Sequence, residues 1–107
     1  MGMPTLAPPA AETRPVDPDS RFCFAVLADP DPGALPRLME LFAKRWLVPT
    51  SVQSRLVEGE LAVDLQVPGL ARAEGDHIAR QMRTIPFVRQ VLMSERHRPE
   101  EPAALVA

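Results

Sequence analysis

The segment FCFAVLADPDPGALPRLMELFAKRW, Phe22 to Trp46, decides the fold. Its first seven residues, Phe22 to Ala28, are apolar at every position. A short run that is apolar on both faces reads as a strand covered on two sides, in the middle of a sheet. After Asp29-Pro30-Asp31-Pro32-Gly33 the period changes. Leu35, Leu38, Met39, Leu41, Phe42 and Trp46 recur at helical spacing, while Arg37, Glu40, Lys44 and Arg45 fall on the other side. Pro36 fits the first turn of that helix, where its missing N–H costs nothing.

The same reading extends outward. Val48 to Glu58 is more polar and reads as a half-exposed strand, and Pro49 near its start suits an edge position. Glu58-Gly59-Glu60 is a short hairpin turn. In the next strand Leu61, Val63, Leu65 and Val67 face one way and Ala62, Asp64 and Gln66 the other, until Pro68-Gly69 ends it. A second helix spans about 71–84, with Ile78, Met82 and Ile85 as its buried stripe. Pro86 separates it from a last strand, Phe87 to Glu95. The order βαββαβ predicts an α+β, ferredoxin-like fold: an antiparallel sheet of order 4-1-3-2 with both helices on one face. Residues 21–95 form the domain. The proline-rich lead-in 1–20 and the tail 96–107 lack a regular apolar period and are expected to be flexible.

With 107 residues the chain makes one small domain, for which dimerisation is a natural supplement to stability. An unpaired edge strand invites a second copy, so Val52, Ser54 and Leu56 are the candidate dimer contacts. Twelve basic and 14 acidic residues leave a net charge of -2, with no basic block. The third strand also lacks aromatic residues, so RNA binding on the sheet is not expected, although Phe22, Phe24 and Phe87 exist. Cys23 is the only cysteine, which rules out an internal disulfide, and it reads as a small core residue. No stretch reaches transmembrane length and no signal segment is evident, so the expectation is a cytoplasmic protein that does not bind membranes. His77 and His97 have no partner at metal-binding or proton-transfer spacing. No metal, cofactor, catalytic residue or enzymatic activity is expected of this chain.

The loop Asp29 to Gly33 supports two readings. Asp, Pro and Gly are ordinary turn and cap material. A helix start also presents unpaired N–H groups that suit an anion such as an amino-acid carboxylate, with an Asp to meet an ammonium group. Gly33 would permit positive φ or a close backbone approach. The candidate ligand contacts are Asp31, Gly33, Ala34 and Leu35.

The apolar first strand, the turn Asp31-Pro32-Gly33-Ala34-Leu35, the helix body Leu38 to Arg45 and the segment Ile85 to Val91 together resemble the ACT domain family. Within it the chain looks most like the small regulatory subunit of acetolactate synthase. That resemblance implies a homodimer, a catalytic acetolactate synthase subunit as partner, and a branched-chain amino acid as effector near the first loop. It also implies that thiamine diphosphate, flavin and metal belong to the catalytic subunit. The chain departs from the family at Pro30, where effector-sensitive members carry asparagine, and at Trp46, near where a glycine follows the first helix. The alternative implied by the family is a freestanding amino-acid sensor that acts on another metabolic enzyme.

Overall fold

The computed structural model describes residues 20–97. The elements are β1 (Ser20–Ala28), α1 (Ala34–Ala43), β2 (Ser51–Val57), β3 (Glu60–Pro68), α2 (Arg72–Arg83) and β4 (Val88–His97). They form one four-stranded sheet of order β2-β3-β1-β4, antiparallel throughout. This is the expected ferredoxin-like arrangement, with β1 central and β2 at an edge. The lead-in and tail lie outside the described residues except at their inner ends. Ser20, Arg96 and His97 belong to strands, because Ser20 pairs with His97 and Arg21 with Arg96 across β1 and β4. Polar residues there gave no apolar signal of a strand, and the backbone ladder supplies the order instead.

One face of the sheet meets the helices. Phe22, Phe24, Val26 and Ala28 of β1 and Val63, Leu65 and Val67 of β3 are buried against Leu38 and Phe42 of α1 and Ile78, Ala79 and Met82 of α2. The Phe24 and Phe42 rings meet edge-on, centroids 5.5 Å apart. Gly75 brings α2 close to the sheet: a β-carbon there would lie 3.1 Å from Met93 Sδ and 3.5 Å from Phe22. Cys23, which alternates with the buried phenylalanines, is not a core residue. It is half-buried on the opposite, open face of the sheet, in register with Gln66 and Ser94.

Two turns set the edges of the structure. Glu58 and Gly59 both have positive φ, 48° and 82°, which is the backbone of a tight hairpin whose twist suits the flanking strands. At the end of α1, Trp46 N–H donates to Ala43 O at 3.1 Å and Leu47 N–H to Phe42 O at 3.0 Å. Those are the two bonds of a Schellman ending, with Trp46 at its left-handed position, φ 59°. Leu47 folds back into the core beside Phe42. Trp46 therefore does not continue the buried stripe of the helix and is more than half exposed. β2 accordingly starts at Ser51, later than its apolar lead-in suggests, after Thr50 N–H has joined the ladder through Gln66 O.

Candidate functional site

The loop between β1 and α1 satisfies its own polar groups. Asp29 N–H donates to Phe87 O at 2.9 Å and Asp31 N–H to Asp29 O at 2.8 Å. The Asp31 carboxylate accepts Gly33 N–H at 2.7 Å, and its carbonyl accepts Ala34 N–H at 2.9 Å. This is a self-bonded Asp turn running into a helix. Arg37 N–H closes the first turn of α1 onto Gly33 O at 3.1 Å, and Pro36 has no donor.

Of the two uses the sequence left open for Gly33, positive φ is not the one found. Its φ is -85°, open to any residue, so glycine is not required by backbone conformation. What glycine supplies is room, since a β-carbon would sit 3.3 Å from the Asp31 Oδ1 that accepts the Gly33 N–H. Of the four candidate contacts, Asp31 is exposed, Gly33 and Leu35 are half-buried, and Ala34 is fully buried. Ala34 can therefore support the loop from beneath but cannot present its side chain.

The loop is also tied to β4. The β1–β4 register shifts between Leu27 and Ala28: Leu27 faces Gln90, Ala28 faces Val88, and Arg89 is the extra residue between them. A bulge re-aims the side chain it carries. Here Arg89 Nε reaches Asp29 Oδ1 at 2.7 Å. That hydrogen bond, followed by the charge of the same carboxylate, raises the Arg89 guanidinium pKa above its ordinary value. Nearby, the Arg37 guanidinium lies 5.7 Å from the Phe87 ring centre, within cation–π range. Sequence reasoning missed Arg89, because its role depends on a bulge that strict alternation along the strand conceals.

The two sheet edges are unequal. On β4, Arg83 Nη2 donates to Val91 O at 2.9 Å, so a guanidinium occupies a carbonyl that another strand would need. On β2, the register with Leu65, Val63 and Leu61 sets Val52, Ser54 and Leu56 on the helix-side face. All three are exposed, Val52 at 42% and Leu56 at 68%. Trp46 (53%), Val48 (72%) and Val57 (41%) are the other large apolar residues left open in the same stretch of chain. Among the described residues the exposed large apolar side chains thus cluster between Trp46 and Val57, with Leu92 of β4 the exception.

Residues 17–100 match the family described as ACT-like domain. This chain belongs to the ACT-like domain family. Its fold is shared with the ACT domain of GTP pyrophosphokinase from Chlorobium tepidum. The crystal structure of that domain aligns at a TM-score of 0.60 and 9% identity, covering 69% of this chain and 96% of that one. The solution structure of the same domain aligns at 0.60 and 9%, covering 71% and 88%. The C-terminal domain of the MgtC protein from Mycobacterium tuberculosis aligns at 0.65 and 7% identity, covering 76% of this chain and 92% of that one. At such identities the likeness is one of fold. No curated protein matches the chain in sequence.

ACT domains are regulatory modules, not catalytic ones. Among the described residues of this ACT domain, no group of three or more His, Cys, Asp or Glu could hold a metal ion. No described helix is long and apolar enough to cross a membrane. Phe22 and Phe24 are in the core, so the aromatic residues of β1 are not available for stacking on the open face of the sheet. That open face carries a shallow hollow of about 510 Å³ lined by Cys23, Ala25, Gln53, Asp64, Leu92 and neighbours. A further charge lies inside the domain. Glu74, in the first turn of α2, has a side chain only 2% exposed, and Arg45 Nε lies 3.5 Å from its Oε2. Neither of those two atoms makes a hydrogen bond. The pair joins the end of α1 to the start of α2 and belongs to the scaffold.

Proposed function

We propose that this ACT domain is the non-catalytic regulatory subunit of a larger enzyme, and specifically of acetolactate synthase in branched-chain amino-acid biosynthesis. The observation that carries the regulatory reading is the division of the surface. The loop is internally bonded, whereas β2 and the residues leading into it present bare apolar side chains and an open strand edge. Such a surface is built for association with another protein chain. The choice of acetolactate synthase rests on the resemblance of the Asp31 to Leu35 turn and the Leu38 to Arg45 helix body to its small subunit.

In this reading two copies pair along β2 through Val52, Ser54 and Leu56, and the paired domains bind and activate the catalytic subunit. An amino-acid effector meets the loop at Asp31, Gly33 and Leu35, with Ala34 packed beneath them. Pro30 and Pro36 lack donors and the Asp31 carboxylate already holds Gly33 N–H, so few groups remain to grip an amino acid. Activation by association is accordingly the main effect, and sensing is secondary.

The reading is tested by mixing the chain with the acetolactate synthase catalytic subunit of the same organism and following co-elution. A stoichiometric complex is expected. Separate elution, together with saturable binding of an amino acid by the chain alone, would favour a freestanding sensor instead.

A further inference from the structure

We infer that the groove between α2 and the outer edge of β4 is a docking site for an extended acidic segment of another protein. That segment places carboxylates four residues apart, with a neutral or basic residue midway between them. The inference does not depend on which enzyme the domain serves.

The groove is built from one stripe of α2. Arg72, Asp76, Arg80 and Arg83 follow one another at intervals of four and three, so they share a side of the helix. With Ala79 and Met93 they line a hollow of about 480 Å³. All three arginines are exposed. The chain as a whole carries a net charge of -2, so a lining of three cations against one anion is a local reversal of sign.

Each arginine has donors to spare. Among the described residues Arg80 has no hydrogen-bond or ion-pair partner. Arg83 gives Nη2 to Val91 O at 2.9 Å, which fixes its guanidinium over β4 and leaves its other N–H groups to a ligand. Arg72 Nη1 lies 3.5 Å from Glu95 Oε1, and both side chains reach solvent, so this pair is weak and admits a second carboxylate.

The order of charges along the stripe selects the partner. Eight residues of helix separate Arg72 from Arg80, about 12 Å of rise, and Asp76 stands midway. In an extended segment four residues span about 13 Å, and residues i, i+2 and i+4 lie on one face. Carboxylates at i and i+4 therefore meet Arg72 and the Arg80–Arg83 pair, while residue i+2 meets Asp76. A nucleic-acid backbone carries a phosphate at every step and would press one against Asp76. The groove also offers no aromatic face to a base. Spaced carboxylates on a peptide avoid that repulsion.

The test is an NMR titration of the nitrogen-15-labelled full chain with two synthetic peptides, Glu-Thr-Lys-Thr-Glu and Glu-Thr-Glu-Thr-Glu, each flanked by Gly and Ser. The arginine Nε–H signals and the Met93 amide are the reporters. The lysine-centred peptide is expected to move the Arg80 and Arg83 signals along one saturable curve and to bind about threefold tighter than the all-glutamate peptide. Arg80→Glu should weaken it at least about tenfold, and Asp76→Asn should abolish the preference for lysine, with the remaining amide spectrum unchanged in both. Absence of a saturable shift at these signals, or equal or tighter binding of the all-glutamate peptide to the parent chain, would overturn the proposal. Tighter binding of an oligouridylate at the same signals would assign the groove to nucleic acid and overturn it too. So would Arg80 signals that move when the chain alone is diluted, or when Glu100→Gln and Glu101→Gln are combined, because the groove would then hold a second copy or the chain's own acidic residues.

Discussion

Arg89 donates from Nε to Asp29 Oδ1 at 2.7 Å, across 60 residues of sequence, and it reaches there only because the β4 bulge turns it. The bond clamps the exit of β1 to the entry of β4, directly beside the loop that leads into α1. Both partners are substantially exposed, so the clamp governs the geometry of the loop more than the stability of the domain.

Replacing Arg89 by Leu should therefore leave the melting temperature nearly unchanged while speeding amide exchange at Asp29 and Asp31. Loss of cooperative folding in this variant would contradict a local role. The raised Arg89 pKa gives stability that is present below the unfolded-state value and is lost only as pH rises through the still higher folded-state value. Thermal melts of Arg89→Leu and the parent chain should thus keep a constant offset from about pH 6 to about pH 9.

The Arg45–Glu74 pair should behave differently, because Glu74 is buried. Arg45→Met leaves a carboxylate without its counter-charge at the junction of the two helices and should cost about 2–4 kcal/mol in urea unfolding. The double replacement Arg45→Met with Glu74→Met should recover much of that loss. Equal stability of Arg45→Met and the double variant would show that the Glu74 carboxylate carries no penalty once its counter-charge is removed.

At Trp46 the ordinary preference of helices for alanine over glycine should reverse. Both Trp46→Gly and Trp46→Ala remove the indole, but only glycine relieves the positive φ. Trp46→Gly should therefore be more stable than Trp46→Ala by about 1 kcal/mol, measured on monomeric samples. A more stable alanine variant would mean that the helix ending rearranges.

Gly75→Leu should destabilise the domain by about 1–3 kcal/mol, since the added side chain is forced into Met93 and Phe22. Combining it with Met93→Ala should restore part of the loss, as Met93 Sδ is the nearest obstacle and its removal leaves space. No rescue in the double variant would place the clash at Phe22 or in the backbone.

The strand order and both helices were legible because the apolar residues repeat at two and at 3.6 residues and the prolines and glycines punctuate them. Leu61, Val63, Leu65 and Val67 could be assigned to one face from alternation alone. Cys23 could not, because its run is apolar on both sides and the open face of β1 looks the same as the buried one. Features set by tertiary pairing were also hidden: the strand ends at Ser20 and His97, the bulge at Arg89 and the buried Glu74. Gly33 suggested either positive φ or a close approach, and only the structure decides for the approach, of the Asp31 carboxylate. Trp46 matched the helical period but falls one turn too late, after the chain has already reversed.

The most direct test of the acetolactate synthase reading is the rate of pyruvate condensation by the acetolactate synthase catalytic subunit of the same organism, titrated with this chain. The predicted result is a rate that rises and saturates at a fixed stoichiometry, and that Leu56→Lys, placed on the β2 surface, reduces. A rate that stays flat across the titration, with the two proteins eluting separately, would contradict it.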